Sequence, residues 1–187
     1  AFGLQLNPEL PSLDADTIVA YLKAFFCLYD WLEKRSSPDF TRRLTRFMAP
    51  FPRDYVRKVI DPDYWPDETR LIDDYLHDNP TRNRALDMLP LFLYLDEERV
   101  RGVVDDPRVK PRPTFHYRLP NCEIDRPYWG IHLAWADWLK VEALASHGSR
   151  LQRICRAYAR WLDEPLGHLL ANWAGEVESW LGKTASR

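Results

Sequence analysis

The residues between Lys110 and Pro120 set Thr114, His116 and Arg118 two apart. In an extended chain, side chains two apart share a face, so an imidazole and a guanidinium stand side by side there. An imidazole changes its charge near neutral pH, and a guanidinium grips a carboxylate or phosphate through two parallel hydrogen bonds. A second short run, Phe2 to Asn7, puts Gln5 and Asn7 on one face, with Glu9 just past Pro8. If the two runs pair, five polar groups converge, among them one carboxylate and one fixed cation. Such oxygen and nitrogen donors suit a hard cation such as Mg²⁺, and the arginine suits a phosphate. The same alternation is also what the solvent face of an antiparallel sheet shows. The residues alone leave both readings open.

The elements that would carry these groups are punctuated by proline. Pro111, Pro113 and Pro120 bracket the aromatic and β-branched core Thr114 to Arg118, which predicts a strand near 114–119. Phe115 and Tyr117 then face a core. Phe2, Leu4 and Leu6 alternate with polar residues and predict a first strand near 2–7. Everything else reads as helix. Ser12 and Asp14 are N-cap candidates for a helix carrying Ile18, Leu22, Phe25, Tyr29 and Leu32 at helical spacing and ending at Lys34 and Arg35. A second helix is expected over Asp39 to Met48, a short turn around Tyr55 to Val59, and a helix with Pro66 at its first position and Leu71, Ile72, Tyr75 and Leu76 inward. Leu86 to Leu95 reads as a buried irregular segment, interrupted by Asp87 and Pro90, and Asp96 to Val104 as a short helix. Three more helices follow, over Tyr128 to Ala145, Leu151 to Leu162 and Leu166 to Leu181. The predicted class is α+β, mostly α, with a small antiparallel sheet packed against several amphipathic helices, in a single domain over residues 1–187.

The bulk chemistry narrows the function. A net charge of -2 and a pI of about 6.2 give no global attraction to nucleic acid. Three scattered cysteines argue against a disulfide framework and for a reducing compartment, so a cytoplasmic location is expected. No apolar run reaches membrane-spanning length. The seven glycines form neither a P-loop nor a dinucleotide fingerprint, and no C-x-x-C or G-x-S-x-G occurs. The basic run Arg42, Arg43, Arg46, Arg53, Arg57 and Lys58 reads as a solvated face. His132 and His168 read as structural, and Trp135, Trp138, Trp161, Trp173 and Trp180 as core or interface packing.

Taken together, three motifs resemble the amidoligase family, relatives of the glutamine synthetase and carboxylate–amine ligase fold. Thr114 to Arg118 is similar to that family's Thr-x-Glu-x-Arg strand, with His116 where the glutamate is expected. Gly3 to Asn7 is similar to its Gly-x-His-x-His strand, with Gln5 and Asn7 in place of the histidines. Arg82 to Asp87 resembles the arginine-containing loop before the last catalytic strand. The resemblance runs from Ala1 to about Leu144 and implies an ATP- and Mg²⁺-dependent ligase that joins a small-molecule or peptide carboxylate to an amine through an acyl phosphate. It places Arg118, with Arg82 and Arg84, at phosphate, and His116 as ligand or proton carrier. Gln5, Asn7 and Glu9 fall at metal or substrate. It further implies that the family's usual N-terminal half is missing, so a preceding segment or partner chain would complete the site. A derived, non-catalytic binding domain of the same fold is the alternative.

Overall fold

A computed structural model describes residues 2–36, 48–164 and 172–182. The helix expected over Asp39 to Met48, its arginines, His168 and the start of the last predicted helix lie almost wholly outside these residues. The chain folds as predicted in class, mostly helical with a little antiparallel strand.

The organising element is helix α1, Ala15–Ser36. Asp14 caps it by accepting from the Thr17 amide at 2.7 Å, and Ser12 donates to the same carboxylate. Its length lets one buried stripe, with Ile18, Leu22, Phe25 and Leu32, run under nearly everything else. Helices α2, Arg53–Ile60, and α3, Glu68–Asp78, pack on one side of it. Asp67 sits at the N-cap of α3 and accepts from the Arg70 amide at 2.9 Å, so Pro66 lies just before the cap rather than at the first helical position as expected. Asp67→Ala is expected to cost about 1 kcal/mol in urea unfolding, the usual loss for a carboxylate cap.

The segment predicted as irregular is more regular than its composition suggests. Leu86–Asp87 forms strand β2 and Leu89–Leu95 forms helix α4, with Pro90 in the first turn, where its missing N–H leaves no helical bond unmade. Asp87 starts that helix by accepting the Leu89 amide at 3.1 Å. Helix α5, Glu97–Arg101, follows at once.

Strands β1, Phe2–Gly3, β3, His116–Tyr117, and β4, Asn121–Cys122, complete the ribbon. Residues 114–122 are its middle. On one side Phe2 and Gly3 pair with Cys122 and Asn121, and Leu6 and Glu9 bridge Tyr117 and Thr114, all antiparallel. On the other side Leu86 and Asp87 pair with Tyr117 and His116. The partner strands predicted at 2–7 and 114–119 therefore do meet, with β2 as an unforeseen third. Between Gly3 and Leu6 the register shifts by one residue, so Gln5 stands opposite both Arg118 and Leu119, a β-bulge.

Helices α6, Ile131–Ala145, α7, Gly148–Asp163, and α8, Trp173–Gly182, close the fold against α1. Trp138 of α6 is fully buried beneath the ribbon, its ring 5.2 Å from Tyr117 and 5.5 Å from Phe115. Trp173 is buried as expected. Trp135 is outside the core: it is 42% exposed and shares an open stripe with Ile131 and Leu139, because α6 turns the next face, with Trp138 and Val141, to the core, which leaves interface packing as its expected role.

Candidate active site

Phe115 and Tyr117 are wholly buried and pack on Tyr21, Phe25 and Trp138. Anchored through that side, the central strand turns His116 and Arg118 to the opposite face, where both remain largely covered. The imidazole Nε2 lies 3.1 Å from Gln5 Oε1. On its other side, Nδ1 stands 4.0 Å from Asp87 Oδ2, the residue paired with His116 across β2 and β3. Arg118 Nη1 is also 4.0 Å from that carboxylate oxygen, and it donates to the carbonyl of Arg82. The Arg118 amide donates to Ala85 O at 2.8 Å, which fixes the bulged residue against the loop before β2. At the rim, Arg112 Nη1 donates to Asn7 Oδ1 at 3.2 Å. Thr114 Oγ1, on the same strand face, is buried without a hydrogen-bond partner among the described residues.

The structure thus gathers five of the residues chosen from sequence: Gln5, Asn7, Arg82, His116 and Arg118. Two stand apart. Arg84 points the other way, donating to the carbonyls of Pro50 and Asp78 with its guanidinium over the Phe51 ring, so it braces the loop rather than the cluster. Glu9 is bridged through its backbone to Thr114, and its side chain is exposed beyond Pro8. Two residues were missed. Asp87 is 2% exposed, and its signal was visible: one carboxylate in an otherwise apolar run has to be bonded or functional. Arg112, between two prolines, carried no such mark.

The electrostatics are those of a cationic patch with Arg118 buried at its floor and Arg82 and Arg112 nearer its rim. Burial, seconded by Arg118, Arg112 and Arg82, holds the His116 pKa down at about 4, so the ring is neutral at pH 7. Burial raises the Asp87 carboxyl to about 7, against the opposing pull of the Leu89 amide and the same three arginines. Among the described residues of the cluster, three guanidiniums therefore face one carboxylate that is only half ionised at neutrality. Such a surround suits an oxyanion. It does not fit the Mg²⁺ expected from sequence: no three His, Cys, Asp or Glu residues gather to hold a metal among the described residues, and the nearby charges would repel one.

A cavity of about 390 Å³ also opens between α1, α2 and α7, lined by Tyr29, Asp30, Phe51, Arg53, Tyr158 and Trp161 among others. None of the residues chosen from sequence as site residues lines it.

Comparison with known families is decisive on one point. The family described as "Putative amidoligase enzyme" matches residues 1–140, which include both outer strands, the Arg82 to Asp87 loop and the central strand. The chain belongs to this family. The match takes in every residue of the cluster and stops inside α6, leaving only the end of α6 and all of α7 and α8 beyond it. No curated protein and no solved structure gives a significant match. No helix among the described residues is long and apolar enough to cross a membrane.

Proposed function

We propose that the chain carries the oxyanion-binding part of an ATP-dependent carboxylate–amine ligase. The observation that supports this reading most strongly is the convergence of Asp87, His116 and Arg118 on one face of the ribbon, ringed by Arg82 and Arg112, in a chain of the amidoligase family.

In the proposed reaction a carboxylate oxygen attacks the γ-phosphorus of ATP, ADP leaves, and an acyl phosphate results. An amine then attacks the acyl carbon and phosphate departs with the electron pair of the broken C–O bond. The first step spreads negative charge over the transferred phosphoryl oxygens, and preorganised cations in a dry site are the strongest source of stabilisation for such charge. Arg118 is the natural clamp, because the bulge and the Ala85 and Arg82 carbonyls hold it in place. Arg82 and Arg112 add charge from the rim. The second step releases a proton from the amine nitrogen. Neutral His116 is held between Gln5, at its Nε2, and Asp87, behind its Nδ1, and a carboxyl poised near neutrality can accept that proton.

The domain would be the C-terminal portion of a larger catalytic unit, acting in the cytoplasm on small-molecule or peptide substrates. Any magnesium travelling with the nucleotide would have to be held by groups other than these. A non-catalytic binding domain is the second reading, favoured by the poor metal-donor set.

Thermal unfolding with ATP separates the two. At 100 times Kd, ATP should stabilise the protein by about 2.7 kcal/mol, or roughly 5–10 °C for a chain of this size. Arg118→Ala should abolish that shift while leaving the helical circular dichroism intact. Absence of any shift in the natural full-length product, with or without Mg²⁺, would sink the ligase reading.

A further inference from the structure

Cys27 of α1 and Cys155 of α7 meet in the core, sulfur to sulfur, at 3.7 Å. Both are essentially buried, and Lys23, one helical turn before Cys27, is buried with them at 1% exposure. A lysine so deeply placed is uncommon. Its ammonium is held by the Asp61 carbonyl and lies 4.4 Å from the centre of the Trp65 ring, so the cation is solvated by protein and kept close to the thiols. The backbone is pinned too, because Trp173 Nε1 donates to the Cys27 carbonyl at 2.8 Å. Nothing in the proposed ligase chemistry uses this group, and Cys155 lies beyond the family match.

We propose that Cys27 and Cys155 form a peroxide-responsive dithiol site, closing to a disulfide that ties α7 to α1. Geometry assigns the roles. Lys23 supplies the positive charge that a thiolate needs, and Cys27 can donate its S–H to Cys155. That hydrogen bond, with the ammonium, lowers the Cys155 pKa against the effect of burial, whereas burial raises the Cys27 thiol well above its ordinary value. The Cys155 thiolate attacks one oxygen of hydrogen peroxide, the O–O bond breaks, and the departing hydroxide leaves as water after protonation. The product is a sulfenic acid on Cys155. The Cys27 sulfur then attacks the Cys155 sulfur, loses its proton, and expels a second water. Two thiols and one peroxide give one disulfide and two waters, so the step balances.

Disulfide closure carries a structural consequence. Tyr21 and Phe25, on the same helix as Cys27, pack on Phe115 and Tyr117 beneath the candidate active site. A cross-link would stiffen that helix against the part of the chain that the family match does not reach.

The test treats the folded, reduced protein with hydrogen peroxide, then counts thiols after denaturation and maps peptides by non-reducing mass spectrometry. Titratable thiols should fall from three to one, with loss of two hydrogens in mass and a single Cys27–Cys155 linked peptide. Cys122, half-buried and apart from the pair, is the internal control. Lys23→Met should slow closure several-fold, because the Cys155 thiolate loses the charge that stabilises it. The wild-type map needs no variant, so misfolding of Cys27→Ala cannot obscure it. The proposal is overturned if Cys122 oxidises while the pair stays reduced. It is overturned equally if the link forms only in urea, or if Cys155 gains oxygens without linking.

Discussion

In Asp87→Asn, stability should climb by up to about 3 kcal/mol between pH 4 and pH 6.5, whereas the wild-type profile over that range stays nearly flat. The signs follow from two opposed shifts. Asp87 carries a folded pKa of about 7 against 3.8 for a free aspartate, so between those values the folded state holds a proton that the unfolded state has lost. Stability therefore falls as pH rises through that window. His116 carries a folded value of about 4 against 6.5, so between these limits the unfolded state binds the extra proton and stability rises with pH. Each slope approaches about 1.4 kcal/mol per pH unit, and where the windows overlap they cancel. Removing either partner uncovers the other. His116→Gln should show the reverse profile, falling by up to about 4 kcal/mol from pH 4 to pH 7. Urea midpoints measured across pH for the three proteins decide it; a flat Asp87→Asn profile would mean that the pair is not buried as described. Asn can still accept the Leu89 amide, so the start of α4 should survive the substitution.

Trp138→Ala should be among the most damaging single changes, costing about 3–5 kcal/mol. The indole is wholly buried and touches Tyr21, Phe115 and Tyr117, so its removal leaves a void directly beneath the central strand. The effect should not stop at stability. Phe115 and Tyr117 are the anchors that turn His116 and Arg118 outward, and without backing they can settle toward the void. The ATP-induced thermal shift should therefore shrink even at temperatures where Trp138→Ala remains folded. Trp138→Phe provides the contrast. Its ring still fills most of the site, and it removes an indole N–H that is buried with no partner among the described residues, so its cost should be under about 2 kcal/mol. Equal losses in the two variants would show that packing under the strand is not what sets the geometry above it.

The sequence made the central strand legible because three prolines bounded it and its alternation was clean. The same two signals located the run at 2–7 and allowed the pairing that brings Gln5 to His116. The Arg82 to Asp87 loop was harder, since arginines two apart look equivalent in sequence. Backbone direction separates them: Arg82 lends its carbonyl to Arg118, while Arg84 is captured by the Pro50 and Asp78 carbonyls. Asp87 is marked only by its lone charge, because the apolar run around it is buried on every side and periodicity is silent where nothing faces water. Trp135 is ambiguous in sequence for a different reason. Residue type alone puts it with Trp138 as core or interface packing, whereas the turn of α6 leaves one outside and the other in the core. The bulge at Arg118 has no sequence mark at all, because register is settled by both strands together.

The pairing of the ribbon also dictates an order of assembly. Tyr117 lies opposite Leu86 across a short span of chain and bonds Leu6 across more than a hundred residues. Closing the longer loop costs about 1 kcal/mol more in chain entropy than closing the shorter. Local contacts form first, and distant ones wait for a framework that rewards them. Helices α3 and α4 with β2 and β3 can therefore condense early, bringing Asp87, His116 and Arg118 together. The N-terminal run docks last and delivers Gln5 and Asn7. A folding intermediate of this chain would hold the cluster's floor without its rim, and the final kinetic step would be the one that finishes the site.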